Sequence, residues 1–113
     1  MKIQEAFYHV ERIMKKHNLS FCYRGCPNHV IDPEMNSKDG KYNSSNHTVI
    51  TGKDCENFVL IHECAHALQK PNIIPKGYHT NKTIYNGCRF EQEAFLVEEI
   101  YRLQVLIKKF KGE

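Results

Sequence analysis

Apolar residues near the start of the chain recur at three- and four-residue steps. Ile3, Phe7, Val10, Ile13 and Met14 form one stripe, with Lys2, Glu5, Arg12, Lys15 and Lys16 on the polar side. This period predicts an amphipathic helix from Ile3 to about His17, stopped at Asn18. Phe21-Cys22-Tyr23-Arg24 reads as a short strand closed by Gly25 and Cys26-Pro27, and His29-Val30-Ile31 as a second strand. The stretch from Asp32 to Asn46 carries Pro33, Asp39-Gly40 and a run of Asn and Ser, so it is expected to be an exposed loop or wide hairpin. His47 to Thr51 reads as a third strand. Asp54 is then a suitable N-cap for a helix whose apolar residues, Phe58 through Ile61 with Ala65, Ala67 and Leu68, cover nearly its whole circumference. Such a helix belongs in the centre of a core. Pro71 ends it, and Lys70 to Arg89 follows as a long connection without period. From Phe90 to about Phe110, Leu96, Ile100, Leu103, Ile107 and Phe110 alternate steps of four and three, predicting a helix packed along its length.

At 113 residues, with 41% hydrophobic and 26% charged positions, the chain is expected to form one small α+β domain. No apolar run exceeds Phe58–Ile61, far below the roughly 20 residues of a membrane span, and the N-terminal helix lacks the apolar block of a secretory signal. A cytoplasmic location is therefore expected, with no membrane partner. The formal charge of +3 is small and scattered, which gives no nucleic-acid footprint. Five cysteines, an odd number, read as reduced thiols, and Cys22-x3-Cys26 with His29 lacks the spacing and fourth ligand of a zinc knuckle.

The chemistry lies in His62-Glu63-Cys64-Ala65-His66. Residues four apart share one helix face, so the two imidazoles converge on one point, and nitrogen donors suit Zn²⁺. Glu63 stands where it can act on water beside the metal. Polar groups embedded in an apolar helix cost several kcal/mol unless something satisfies them, and a metal ion would do so. A catalytic zinc needs a third protein ligand. Glu91-Gln92-Glu93-Ala94 opens the last helix and offers two carboxylates; Glu93 lies nearer the apolar stripe, Glu91 shares a face with Glu98 and Arg102, and His79 in the long connection is a further candidate.

HECAH in a buried helix, followed by a second helix opening with Glu-x-x-Ala, resembles the gluzincin zinc metallopeptidases, most of all the minimal ImmA/IrrE-type peptidases. The resemblance implies a zincin-like domain with an N-terminal helix and a three-stranded, mostly antiparallel sheet. It implies His62, His66 and Glu91 as ligands of one zinc ion, Glu63 as general base, and a protein or peptide substrate laid along Thr48-Val49-Ile50 as the sheet edge. The expected reaction is peptide hydrolysis, with Tyr78, His79 or Tyr85 available to a developing oxyanion. Two other roles fit the same residues: a zinc-stapled binding module without catalysis, and the metallopeptidase tip of a toxin or effector.

Overall fold

The computed structural model describes residues 1–112. It is an α+β domain of four α-helices and one three-stranded sheet, in the order α1 (Ile3–Lys16), β1 (Asn28–Ile31), β2 (Gly40–Asn43), β3 (Thr48–Thr51), α2 (Asn57–Ala67), α3 (Lys82–Gly87) and α4 (Arg89–Phe110). A single 3₁₀ turn, Pro71–Ile73, follows α2. No described helix is long and apolar enough to cross a membrane.

The helix α1 buries the stripe its period predicts, Ile3, Ala6, Val10, Ile13 and Met14, against α2 and α4. Asn18 ends it in the left-handed region at φ 52°, where its amide reaches Lys15 O and the Leu19 amide reaches Met14 O at 3.0 Å. This is the Schellman closure, which asparagine tolerates at little steric cost. The predicted strand Phe21–Arg24 does not form. Phe21 makes only an isolated bridge to Gln69, flanked by bonds from Cys22 N to Leu68 O and from Lys70 N to Ser20 O. Its partner is the three-residue stub between α2 and Pro71, too short for a strand, and Pro71 has no amide with which to extend the ladder.

A strand lies instead inside the segment read as a loop. There β2 pairs antiparallel with β3, from Gly40 opposite Thr51 to Asn43 opposite Thr48. β1 pairs parallel with β3, so the sheet is mixed, in the order β1-β3-β2. The expected edge strand, Thr48–Ile50, is therefore the central one, and β1 and β2 are the edges. Thr48, Val49 and Thr51 are buried accordingly.

The α2 helix is central, as its all-round apolar surface requires: Leu60, Ile61, Cys64, Ala65 and Leu68 join residues of α1, β3 and α4 in one cluster. Its N-cap is Glu56, not Asp54, whose amide is bonded to Ser37 O in the preceding turn. The connection after α2 holds α3, capped by Asn81 Oδ1 on the amides of Thr83 and Ile84. In α4 only the first three turns are packed: Phe90, Glu91, Glu93, Ala94, Val97, Glu98 and Tyr101 are buried, while Leu103, Ile107 and Phe110 are exposed. The apolar face that α4 buries is Phe90, Ala94, Val97 and Tyr101, not the stripe its period marked: of that stripe only Ile100 packs against the core, and Leu96 is exposed with the rest.

Candidate metal centre

Side by side, α2 and α4 bring the last turns of α2 against the first turn of α4. His62 and His66 stand one turn apart with ring planes at 82°, and both point their Nε2 atoms at Glu91, which is 1% exposed. His62 Nε2 lies 3.1 Å from Glu91 Oε1 and His66 Nε2 lies 2.9 Å from Glu91 Oε2. One donor atom from each of the three residues falls within 4.8 Å of the others, so this group could hold a metal ion. Tetrahedral coordination at about 2.0–2.1 Å separates donors by about 3.3 Å, inside the 4.8 Å that encloses the three donor atoms.

The surroundings of the donors fit a metal. Gln69, also 1% exposed, donates its amide nitrogen to Phe90 O at 2.8 Å and turns its oxygen to His66 Nδ1 at 2.7 Å. An acceptor there makes Nδ1 the protonated nitrogen of the neutral ring and leaves the Nε2 lone pair facing a carboxylate. That contact is attractive only with a cation between the two atoms, whether a proton or a metal ion. On the other ring, buried His62 Nδ1 makes no hydrogen bond and faces Glu98 Oε1 at 3.5 Å. Glu98 is thus placed to orient His62, as outer carboxylates commonly orient ligating histidines. Tyr78 donates its hydroxyl to Glu91 Oε2 from the long connection. Phe90 stacks on His66, with ring centroids 4.2 Å apart.

Charge balance within the cluster is visible in its titration. Burial works against ionised Glu91, but hydrogen bonds from His62 and His66, with the His66 charge and the Tyr78 hydroxyl, hold its carboxyl well below the usual range. Burial also disfavours charged His62, yet its bond to Glu91 and the carboxylates of Glu63, Glu91 and Glu98 raise its proton affinity overall. A proton affinity raised by folding adds stability that is complete below the unfolded value, near 6.5, and lost as pH rises through the folded one. Chelated protein is therefore expected to lose thermal stability as pH rises above the unfolded value of 6.5, and Zn²⁺ to restore it as the metal takes the proton's place. The lowered Glu91 sets the opposite limb, its contribution being lost in strong acid. A melting temperature that does not fall as pH rises above 6.5 in chelator would contradict this account of His62.

Glu63 is not part of the triad. Its half-buried side chain lines a cleft of about 400 Å³ beside His66, Tyr78 and Tyr85, with β2 as the opposite wall. Burial raises its proton affinity; the charges of His66 and His62 oppose the rise, and Glu91 and Glu98 reinforce it. Gly40 explains how β2 passes so close to α2. A Cβ there would lie 2.9 Å from Val59 Cγ1 and 3.1 Å from Glu63 Cγ, so any larger residue would have to displace these side chains or the strand.

Of the candidate third ligands, only Glu91 reaches the histidines. The Glu93 carboxylate accepts from Ser20 N (3.0 Å), Ser20 Oγ (3.1 Å) and Arg89 Nε (2.9 Å), tying α4 to the segment after α1. Glu93→Ala is expected to leave metal binding intact while stranding the buried Ser20 amide, at a cost of about 2 kcal/mol. In a domain of this size that is roughly 8 °C of melting temperature, measurable by thermal denaturation. His79 sits on the cleft wall, its ring 4.9 Å from that of Tyr78, and does not join the triad. Cys22, Cys26 and His29 form no metal group among the described residues: His29 Nε2 bonds Thr51 Oγ1 at 2.7 Å, and all five cysteines are free thiols. Burial pushes the Cys64 thiol far up, so it serves as a core residue.

Sequence reasoning missed Gln69 and did not use Glu98 as a partner of His62. The signal for both was helical spacing, since Gln69 is three residues after His66 and Glu98 seven after Glu91. No protein-family model matches the chain, and neither does any curated protein or solved structure.

Proposed function

We propose that this chain is a zinc-dependent peptidase, with zinc held by His62, His66 and Glu91 and with Glu63 as general base. The observation that carries the proposal is the pairing of a His-His-Glu group with a separate carboxylate, Glu63, in a cleft open to ligands. A metal that served only as a staple would have no use for Glu63 on the cleft wall. Two nitrogens and one oxygen are the protein donor set of catalytic zinc, and His66 of the three lines the cleft together with Glu63. Zinc bound there would lower the pKa of its water toward about 7 and polarise a substrate carbonyl.

The chain's own residues supply the rest. Glu63, with its raised affinity for protons, accepts the proton of the attacking water and returns it to the leaving amine. Tyr78 steadies the Glu91 carboxylate. Tyr85 and His79 line the same cleft and would donate to the carbonyl oxygen. An extended segment of a protein substrate would add to β2, the sheet edge that lines the cleft, in place of the central β3. The free thiols suit a reducing, intracellular setting.

The test is a complex mixture of denatured-protein peptides incubated with zinc-loaded protein, with new termini read by mass spectrometry. Termini that appear with zinc, vanish with a chelator and return on zinc addition support the peptidase. Tight binding of about one zinc per chain with no new termini overturns it in favour of the zinc-stapled binding module.

A further inference from the structure

We infer that the second half of α4 and the adjoining side of α1 form a docking groove for an acidic amphipathic helix of another protein. Leu96, Ile100, Leu103, Ile107 and Phe110 run 4-3-4-3, the 3.5-residue period by which one helix packs along another. Only Ile100 is packed against the domain's core; Leu103 is 55% and Phe110 84% exposed. The seam is about 21 Å long at 1.5 Å per residue, two heptads in all. Beside it, between α1 and α4, runs a groove of about 580 Å³ floored by Ile13 and Ile107.

Charge identifies the occupant. Arg12, Lys15 and Lys16 line the groove from α1, and Lys108 and Lys111 line it from α4; no carboxylate lines it among the described residues. Lys15 alone is paired, with Glu11 at 3.3 Å on the exposed side of α1. A helix seated on the seam would place its flanking positions opposite these cations, and acidic residues there would be complementary. A second copy of this chain fits poorly, because a two-fold interface would set the groove against itself and its charged lining is all cationic. An anionic lipid surface fits poorly too, since the cations wall a concave groove instead of projecting from one convex face. The groove shares no residue with the cleft around Glu63, so the inference stands apart from the peptidase reading.

The test uses a fluorescent peptide of about three heptads with Leu at a and d and Glu at e and g, and a twin with Lys replacing Glu. Fluorescence anisotropy with the full chain should show saturable binding of the acidic peptide, at least about ten-fold tighter than of the twin. The triple variant Lys16→Glu/Lys108→Glu/Lys111→Glu should reverse that preference, which a misfolded protein could not do. Leu103→Ser/Phe110→Ser, at exposed positions, should weaken binding about ten-fold with thermal unfolding unchanged. Equal affinity for both peptides, no saturable binding, or a preference unmoved by charge reversal overturns the inference. So does tighter adherence to phosphatidylserine-containing vesicles than to the peptide, or a dimer in sedimentation that Leu103→Ser/Phe110→Ser dissolves.

Discussion

Glu91→Ala is expected to abolish stoichiometric zinc binding, with affinity falling by more than the roughly 10–100-fold that loss of an outer partner of a ligand costs. The reason is geometric. Glu91 is the one residue that both imidazoles face, at 2.9 and 3.1 Å, and it is supplied by a different helix from theirs. Without it two histidines on a single helix remain, with no carboxylate to complete the site. Elemental mass spectrometry of purified protein should find about one zinc per chain in the wild type and in Glu93→Ala, and almost none in Glu91→Ala. Gln69→Leu should fall between, since it frees the His66 ring without removing a donor. His79→Ala should retain zinc, because His79 stands on the cleft wall outside the triad. Zinc kept in Glu91→Ala would refute the three-ligand site, and zinc lost in His79→Ala would make the sphere a closed, structural one.

The second large effect is on turnover. Glu63→Gln preserves shape and leaves the three donors untouched, but an amide cannot take a proton from water. Hydrolysis is expected to drop about 10²–10⁴-fold with zinc content unchanged, measured as product formation from a peptide that the zinc-loaded wild type cleaves. Hydrolysis retained in Glu63→Gln would remove Glu63 from its proposed role. Position supports the role: Glu63 and His66 line the same cleft, and Gly40 lets the edge strand run beside them.

Much of the site is legible in the amino-acid sequence. The four-residue spacing of His62 and His66 needs only helix geometry to become a pair on one face, and an apolar helix surface around them makes their burial a certainty of packing. The stop at Asn18 and the span of α1 follow from local backbone preferences that do not depend on distant residues. The strands are harder to read. Gly40–Asn43 has no alternating apolar pattern, because an edge strand beside a cleft has little to bury, and it forms through hydrogen bonds to β3 that no local signal announces. Phe21–Arg24 has the composition of a strand but lacks a neighbour long enough to make it one.

The choice between Glu91 and Glu93 separates the two kinds of information most clearly. Two residues apart near the start of one helix, they point about 160° apart around its axis, and both are buried. Periodicity by itself puts Glu93 nearer to the apolar stripe; resemblance to a motif favours Glu91. What decides between them is the angle at which α4 meets α2, which turns Glu91 toward the histidines and Glu93 toward Ser20. The same docking leaves α4 beyond Tyr101 uncovered. Local sequence determined α1, α2 and α4, the paired imidazoles and the supply of carboxylates, since those depend on spacing along one element, whereas the short α3 carried no period to announce it. Tertiary structure alone decided which carboxylate closes the site, which strand lies at the edge and which apolar stripe remains open, since each is a relation between elements distant in sequence.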